Sequence, residues 1–330
     1  MILPTSSGSA LLLLLLSFVC LGSWVNTFKL AGTRWRFELF YIDFAIGAVL
    51  FAAISAFTLG SLGADLGFSD RMLVAGRTAQ GMVILGGFVF NLGNMLLVAA
   101  VSLLGISGAF PLSIGLALIV SSLFEFRSTN GILLGAGVVL MIIAAWLDGA
   151  ACRFRHVEKS KARKTKKGLS LGSISGVALG LFYPVAAKGM SGDFSVGPYA
   201  GLLLFSVGIL VSTVVFNFYF LNIAIEGAPL GFSAYFRGNL QQHLLGFGGG
   251  ALWAAGMLAA SLASSGPQQI NFDPSLNFIL PLASVLLVML WGTLGWKEFA
   301  AAPKNAKVAL ALTAAFFTGS VILVGIGITS

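Results

Sequence analysis

The chain has 330 residues, of which 19 are Lys or Arg and 11 are Asp or Glu; apolar types make up 58 % and the mean hydropathy is +0.97. Soluble domains carry about a quarter charged residues, so a charged share of 9 % excludes that class. It also excludes disordered, fibrous and nucleic-acid-binding proteins, despite the net charge of +8.

The apolar runs are long and unbroken rather than alternating over about 10 residues, which points to an all-α polytopic membrane protein and away from a β-barrel. Ten transmembrane helices are expected near 9–28, 39–61, 79–104, 108–124, 130–150, 169–189, 199–223, 234–262, 275–295 and 306–328. No basic residue precedes Lys29, so the first run reads as a retained helix rather than a cleavable signal. Cys20 and Cys152 both sit in apolar runs and do not make a disulfide framework. Gly105-Ile106-Ser107 alone joins the third and fourth spans, a tight hairpin.

Between the fifth and sixth spans, Arg153 to Lys167 holds eight basic residues against Glu158. The positive-inside rule makes this loop, 153–168, cytoplasmic. Fifteen of the 19 basic residues then face inward. Five spans is an odd number, so both termini face out. The expected location is a plasma membrane, in bacteria the inner one, and the basic loop also suits anionic lipid. No phosphate-loop pattern occurs.

The chain repeats itself with an offset of five spans. Leu21-Gly22-Ser23-Trp24 matches Leu179-Gly180-Leu181-Phe182. Gly86-Gly87 with Met95-Leu96 matches Gly249-Gly250 with Met257-Leu258. Pro111-Leu112 with Phe124-Glu125-Phe126 matches Pro281-Leu282 with Lys297-Glu298-Phe299. The expected organisation is a first five-helix repeat, 1–152, the basic loop, and a second five-helix repeat, 169–330. An odd-numbered unit inverts the second copy, a 5+5 inverted repeat, which is the mark of secondary transporters with a substrate site near the midplane.

These segments resemble the ten-helix members of the drug/metabolite transporter (DMT) superfamily, with an EamA-like fold, and within it the sugar-uptake (glucose/ribose porter) and ureide-permease-like branch. The likeness is carried by Arg36 to Phe44, Gly87 to Asn94, Leu179 to Pro184, Gly197-Pro198-Tyr199, Ile225 to Pro229, Tyr235 to Gly238 and Leu290 to Phe299. The resemblance implies a secondary active transporter of a small neutral polar solute. Ile279-Leu280-Pro281-Leu282 stands where family members carry a Gly-Gln pair, and the central loop is shorter than in plant ureide permeases. Both turn the expectation toward a sugar. A nucleobase or ureide carrier is the alternative, and a metabolite or drug exporter follows.

Few charges remain for the membrane interior, where each costs at least about 2.5–3.5 kcal/mol. Asp43, one turn into the second span, is the first candidate for proton coupling, with His243 as the one His in a span. Glu125 and Glu298 hold matching repeat positions and are candidate gates. Lys29 and Lys188 read as snorkelling. Neutral polar and aromatic residues are the candidate substrate contacts: Trp24 and Asn26 in the first span, Asn91 and Asn94 on one face of the third, Tyr183 beside Pro184, Asn217 in the seventh, Gln241 and Trp253 in the eighth, and Trp291 in the ninth. For the amides the competing role is helix–helix glue. Expected partners are a small-molecule substrate, protons and lipid; a homodimer is left open, and no metal or cofactor is expected. A membrane-embedded lipid-modifying enzyme would need clustered His and acids, and only His156 and His243 exist. A receptor would need no inverted repeat.

Overall fold

The computed structural model describes residues 1–32, 34–63, 65–125, 130–155, 159–265 and 273–330, and at 125, 159–161 and 274 the backbone alone. The described residues form helices and turns without strands. Ten of these helices are long and apolar enough to cross a bilayer: Ser7–Ala31, Phe37–Phe57, Arg77–Leu104, Ile106–Phe124, Gly131–Phe154, Ala162–Met190, Pro198–Asn222, Leu240–Ala263, Ser275–Gly295 and Lys304–Thr329. They are numbered first to tenth below. The chain is an integral membrane protein.

The boundaries fall where caps and breakers put them. Ser6 and Ser9 form a capping box that starts the first helix. The second span stops at Phe57, because Thr58 leaves the helical region at φ −104°. The eighth starts at Leu240 rather than at 234. Phe232–Arg237 is a separate 3-10 turn, Gly238 is extended, and Asn239 with Gln242 makes a capping box. The sixth helix begins at Lys159, so most of the basic stretch expected as a loop is helical. From Lys159 to Lys167 there is neither Gly nor Pro, and Lys, Arg and Ala are strong helix formers.

The chain divides into two compact units that do not follow its halves. Unit 1 comprises Met1–Leu92 and Phe182–Phe272: the first, second, seventh and eighth spans with parts of the third and sixth. Unit 2 comprises Gly93–Leu181 and Asp273–Ser330: the fourth, fifth, ninth and tenth spans with the remainders.

Unit 1 is held by two crossings of the same design. In one, a Cβ on Gly47 would lie 2.2 Å from the Phe247 carbonyl oxygen, and a Cβ on Gly250 would lie 1.9 Å from that of Phe44. In the other, Gly87 faces the Phe205 carbonyl at 2.1 Å and Gly208 faces that of Ile84 at 2.2 Å. Each helix offers a glycine and the carbonyl three residues before it. The second and seventh spans, and the third and eighth, are the pairs expected from the sequence to be repeat partners, and the two crossings share one design.

In unit 2 the hairpin turns at Gly105, whose φ of +84° suits glycine alone. The two amides that open the fourth span, Ile106 and Ser107, donate to Glu298 Oε1 and Oε2 at 2.9 and 3.0 Å. A carboxylate at a helix N-terminus satisfies orphan donors and meets the positive end of the helix dipole. Glu298→Gln removes the charge and one acceptor oxygen, and is expected to destabilise the fold by about 1–3 kcal/mol. A melting temperature equal to the wild type would show that the cap is immaterial.

Candidate functional site

Unit 1 gathers the aromatic and amide residues. Phe90 in the third span, Phe182 in the sixth, Phe205 in the seventh and Trp253 in the eighth meet in one cluster. The Trp253 ring lies 5.1 Å from Phe90 at 30° and 6.3 Å from Phe205 at 25°, close to parallel with both. Phe182 closes the group edge-on, 5.2 Å from Phe90. Phe44 joins Trp253 at 5.9 Å and Trp24 at 5.0 Å. Aromatic pairs of this kind, offset or edge-on, stabilise packing beyond their buried area. Beside them Phe182, Tyr183, Ala186, Met190, Phe205 and Met257 line part of a cavity of about 400 Å³.

The amides have different fates. Asn91 bridges the third and seventh spans, its Nδ2 donating to Ser212 Oγ at 2.8 Å and to Thr213 Oγ1 at 3.1 Å. That is helix glue, made between residues too far apart in sequence for spacing to reveal. Asn26 donates to the Ser23 carbonyl at 3.0 Å, on its own helix. Asn217, one turn beyond Thr213 on the same helix face, is 4 % exposed, and neither its Nδ2 nor its Oδ1 has a hydrogen-bond partner among the described residues. A buried polar group without a partner costs about 1–3 kcal/mol.

A second polar focus lies where the second and eighth spans meet. Asp43 is fully buried. Tyr235 Oη donates to its Oδ1 in a short hydrogen bond, and His243 Nδ1 faces its Oδ2 at 2.9 Å. Trp35 packs edge-on to His243 at 5.1 Å. Burial, then the bond to Asp43, pushes the Tyr235 phenol well above its ordinary value, so it stays protonated as the donor. Neither Tyr235 nor Trp35 is a candidate site residue from the sequence: Trp35 lies between the first two spans, and Tyr235 reads as the start of the eighth span, from which a separate 3-10 turn divides it.

The remaining candidates are dispersed. Trp24 is buried beside Phe44. Tyr183 is half exposed at the cavity wall, and Gln241 is exposed. Trp291 is 43 % exposed in a π-turn of unit 2. Asn94 is buried but belongs to unit 2, so the expected pair of amides is divided between units. Glu298 serves as the cap described above. The Glu125 side chain and the loop residue His156 lie outside the described residues. Asp148, in unit 2, is a fully buried acid that the sequence reading placed at a span end. Among the described residues no His, Cys, Asp and Glu cluster could hold a metal.

No family model matches the chain. Among curated proteins it is similar to Ureide permease 2 of Arabidopsis thaliana, 28 % identical over 174 residues, which are 49 % of this chain and 43 % of that one. Ureide permease 5 of the same plant is 26 % identical over 182 residues, 52 % of this chain and 42 % of its own. These two matches therefore span less than half of either relative. Ureide permease 1 is 23 % identical over 366 residues, covering 89 % of this chain and 90 % of that protein. One solved structure, 15 % identical, matches 96 % of both chains with a TM-score of 0.57 and shows the shared fold alone. The similarity is to permeases, not to enzymes.

Proposed function

We propose that the chain is a secondary transporter that moves a small, neutral, planar polar solute of the ureide or nucleobase class by alternating access. The observation that carries the reading is the buried Asn217 amide, whose donor and acceptor, side by side, have no hydrogen-bond partner among the described residues. A ureide or nucleobase presents the complementary pair, an N–H next to a C=O, on a flat ring. The buried rings of Phe90, Trp253 and Phe205 pack together in the same unit, with Phe205 about 18 Å before Asn217 along the seventh span. The named relatives favour this class over the sugar expected from the sequence. The two corresponding glycine crossings support the 5+5 inverted repeat, and with it the DMT-like fold and a cycle in which similar halves exchange conformations. The cytoplasmic side of the basic stretch, and termini facing out, complete the reading.

A thermal-shift screen of the detergent-purified protein tests it. At about 100 times its dissociation constant a ligand stabilises the folded state by about 2.7 kcal/mol. Allantoin or uracil is expected to raise the melting temperature, and Asn217→Ala to abolish the rise while the protein still folds. A rise with glucose or ribose alone would overturn the substrate class in favour of sugar.

A further inference from the structure

Asp43 and Asp148 are both completely buried in spans, but their surroundings are opposite. Asp43 has a donor at one oxygen and a His nitrogen at the other. Asp148 lies within the fifth span, and neither of its carboxyl oxygens has a hydrogen-bond partner among the described residues. An ionised carboxylate without donors in a low-dielectric interior is among the costliest groups a protein can bury, whereas a protonated acid carries no charge.

The charges around Asp148 do not replace a donor. On its own helix, buried Cys152 follows one turn later, its Sγ against Gly108. Arg155, at the helix cap, is the cation whose charge reaches Asp148, and its guanidinium lies over the Phe299 ring at 5.0 Å. The fourth and tenth spans pack against the fifth. The fourth has no ionisable residue between Ile106 and Phe124. The tenth has them only at its start, Lys304 and Lys307, and Lys307 donates to the Ala300 carbonyl at 2.9 Å. Glu298, whose charge reaches Cys152, already accepts from Ile106 and Ser107.

We propose that Asp148, rather than Asp43, is the proton-carrying carboxyl of the transport cycle. It is the neutral acid in the conformation described here. It releases its proton to water when its surroundings open on one side of the membrane, and takes one up on the other. This rests on the transporter reading. Its ligand is a proton alone, since a metal ion would need several further oxygen ligands.

Infrared spectroscopy of the purified full-length protein at neutral pH reads the protonation state without any substrate. The C=O stretch of a protonated carboxylic acid is expected in the wild type and in Asp43→Asn, and is expected to vanish in Asp148→Asn. Persistence of the band in Asp148→Asn, or its absence from the wild type, would overturn the assignment. If Asp148→Asn does not fold, a displaced band in Asp148→Glu gives the same answer, and an unmoved band refutes it. In proteoliposomes with radiolabelled allantoin as the probe, a pH difference of one unit drives at most about tenfold accumulation for one proton per solute. Asp148→Asn is expected to lose that accumulation while retaining solute counterflow. Accumulation that survives the substitution refutes the proposal. If the wild type moves no allantoin, the substrate reading fails, and the infrared comparison still decides the role of Asp148.

Discussion

Gly250→Ala is expected to unfold or grossly destabilise the protein, and Gly248→Ala, two residues away on the same helix, is expected to be silent or mildly stabilising. The contrast follows from what a Cβ would meet. At Gly250 it would lie 1.9 Å from the Phe44 carbonyl oxygen and 2.8 Å from the Ala48 amide nitrogen. Both are backbone atoms, so no side chain can rotate away and the second span itself must retreat. At Gly248 nothing lies within 4 Å. Overpacking typically costs about 1–3 kcal/mol where side chains can adjust, and a rigid helix backbone puts Gly250→Ala at or above that range. Removing an exposed helical glycine gains about 0.5–1 kcal/mol. Because the other crossing has the same design, Gly87→Ala and Gly208→Ala are expected to be as severe as Gly47→Ala. Melting temperature and monodispersity in detergent measure all five. If Gly250→Ala behaved like Gly248→Ala, the close approach of the second and eighth spans would be wrong.

The same glycines show what a sequence of this kind reveals and what it conceals. Gly86-Gly87 and Gly249-Gly250 were visible as a repeat, and Gly105 as a hairpin. Which carbonyl each glycine abuts is a tertiary fact. Gly105 punctuates the hairpin between the third and fourth spans and was legible, whereas the breaks at Thr58 and Asn239 lie inside the expected spans 39–61 and 234–262 and were not. The faces of the spans were not legible either, since every face is apolar and the alternation that would separate core from lipid is absent. Asn91 and Asn217 therefore looked alike, as lone amides in apolar helices. Only the fold shows that the Asn91 Nδ2 donates to Ser212 and Thr213, while neither polar atom of the Asn217 amide has a hydrogen-bond partner among the described residues. Asp148 was hidden by a boundary. A fifth span ending at 150 leaves it at the membrane edge, whereas a helix that runs on to Phe154 carries it inside. Glu298 stands 192 residues from Ile106, and its capping role has no local signature.

Asp43→Ala is expected to abolish transport by releasing the segment that precedes the eighth span. Phe232–Arg237 is a short 3-10 turn in which no residue is fully buried. The groups that tie it down on this side are few. Tyr235 reaches Asp43, and its ring packs 4.7 Å from His243. Gly238 fits where a Cβ would strike the Trp35 ring at 2.4 Å. Removing the carboxylate orphans the Tyr235 hydroxyl and the His243 ring together, and hydrogen bonds to a charged group are each worth about 1.5–3 kcal/mol. Asp43→Asn keeps an acceptor for Tyr235 and is expected to be milder; Tyr235→Phe removes one donor and should fall between. Because the Tyr235 phenol titrates above its ordinary value of 10, its bond contributes fully below that value. The contribution is lost only as the pH rises through the raised one. Wild-type stability owed to this bond is therefore flat from neutrality up to the ordinary phenol value. Hydrogen exchange resolves the segment directly. Amides of 232–238 are expected to exchange faster in Asp43→Ala, with the glycine crossings of the second and eighth spans still protected. Equal protection of that segment in wild type and variant would remove the latch and return Asp43 to the list of coupling candidates.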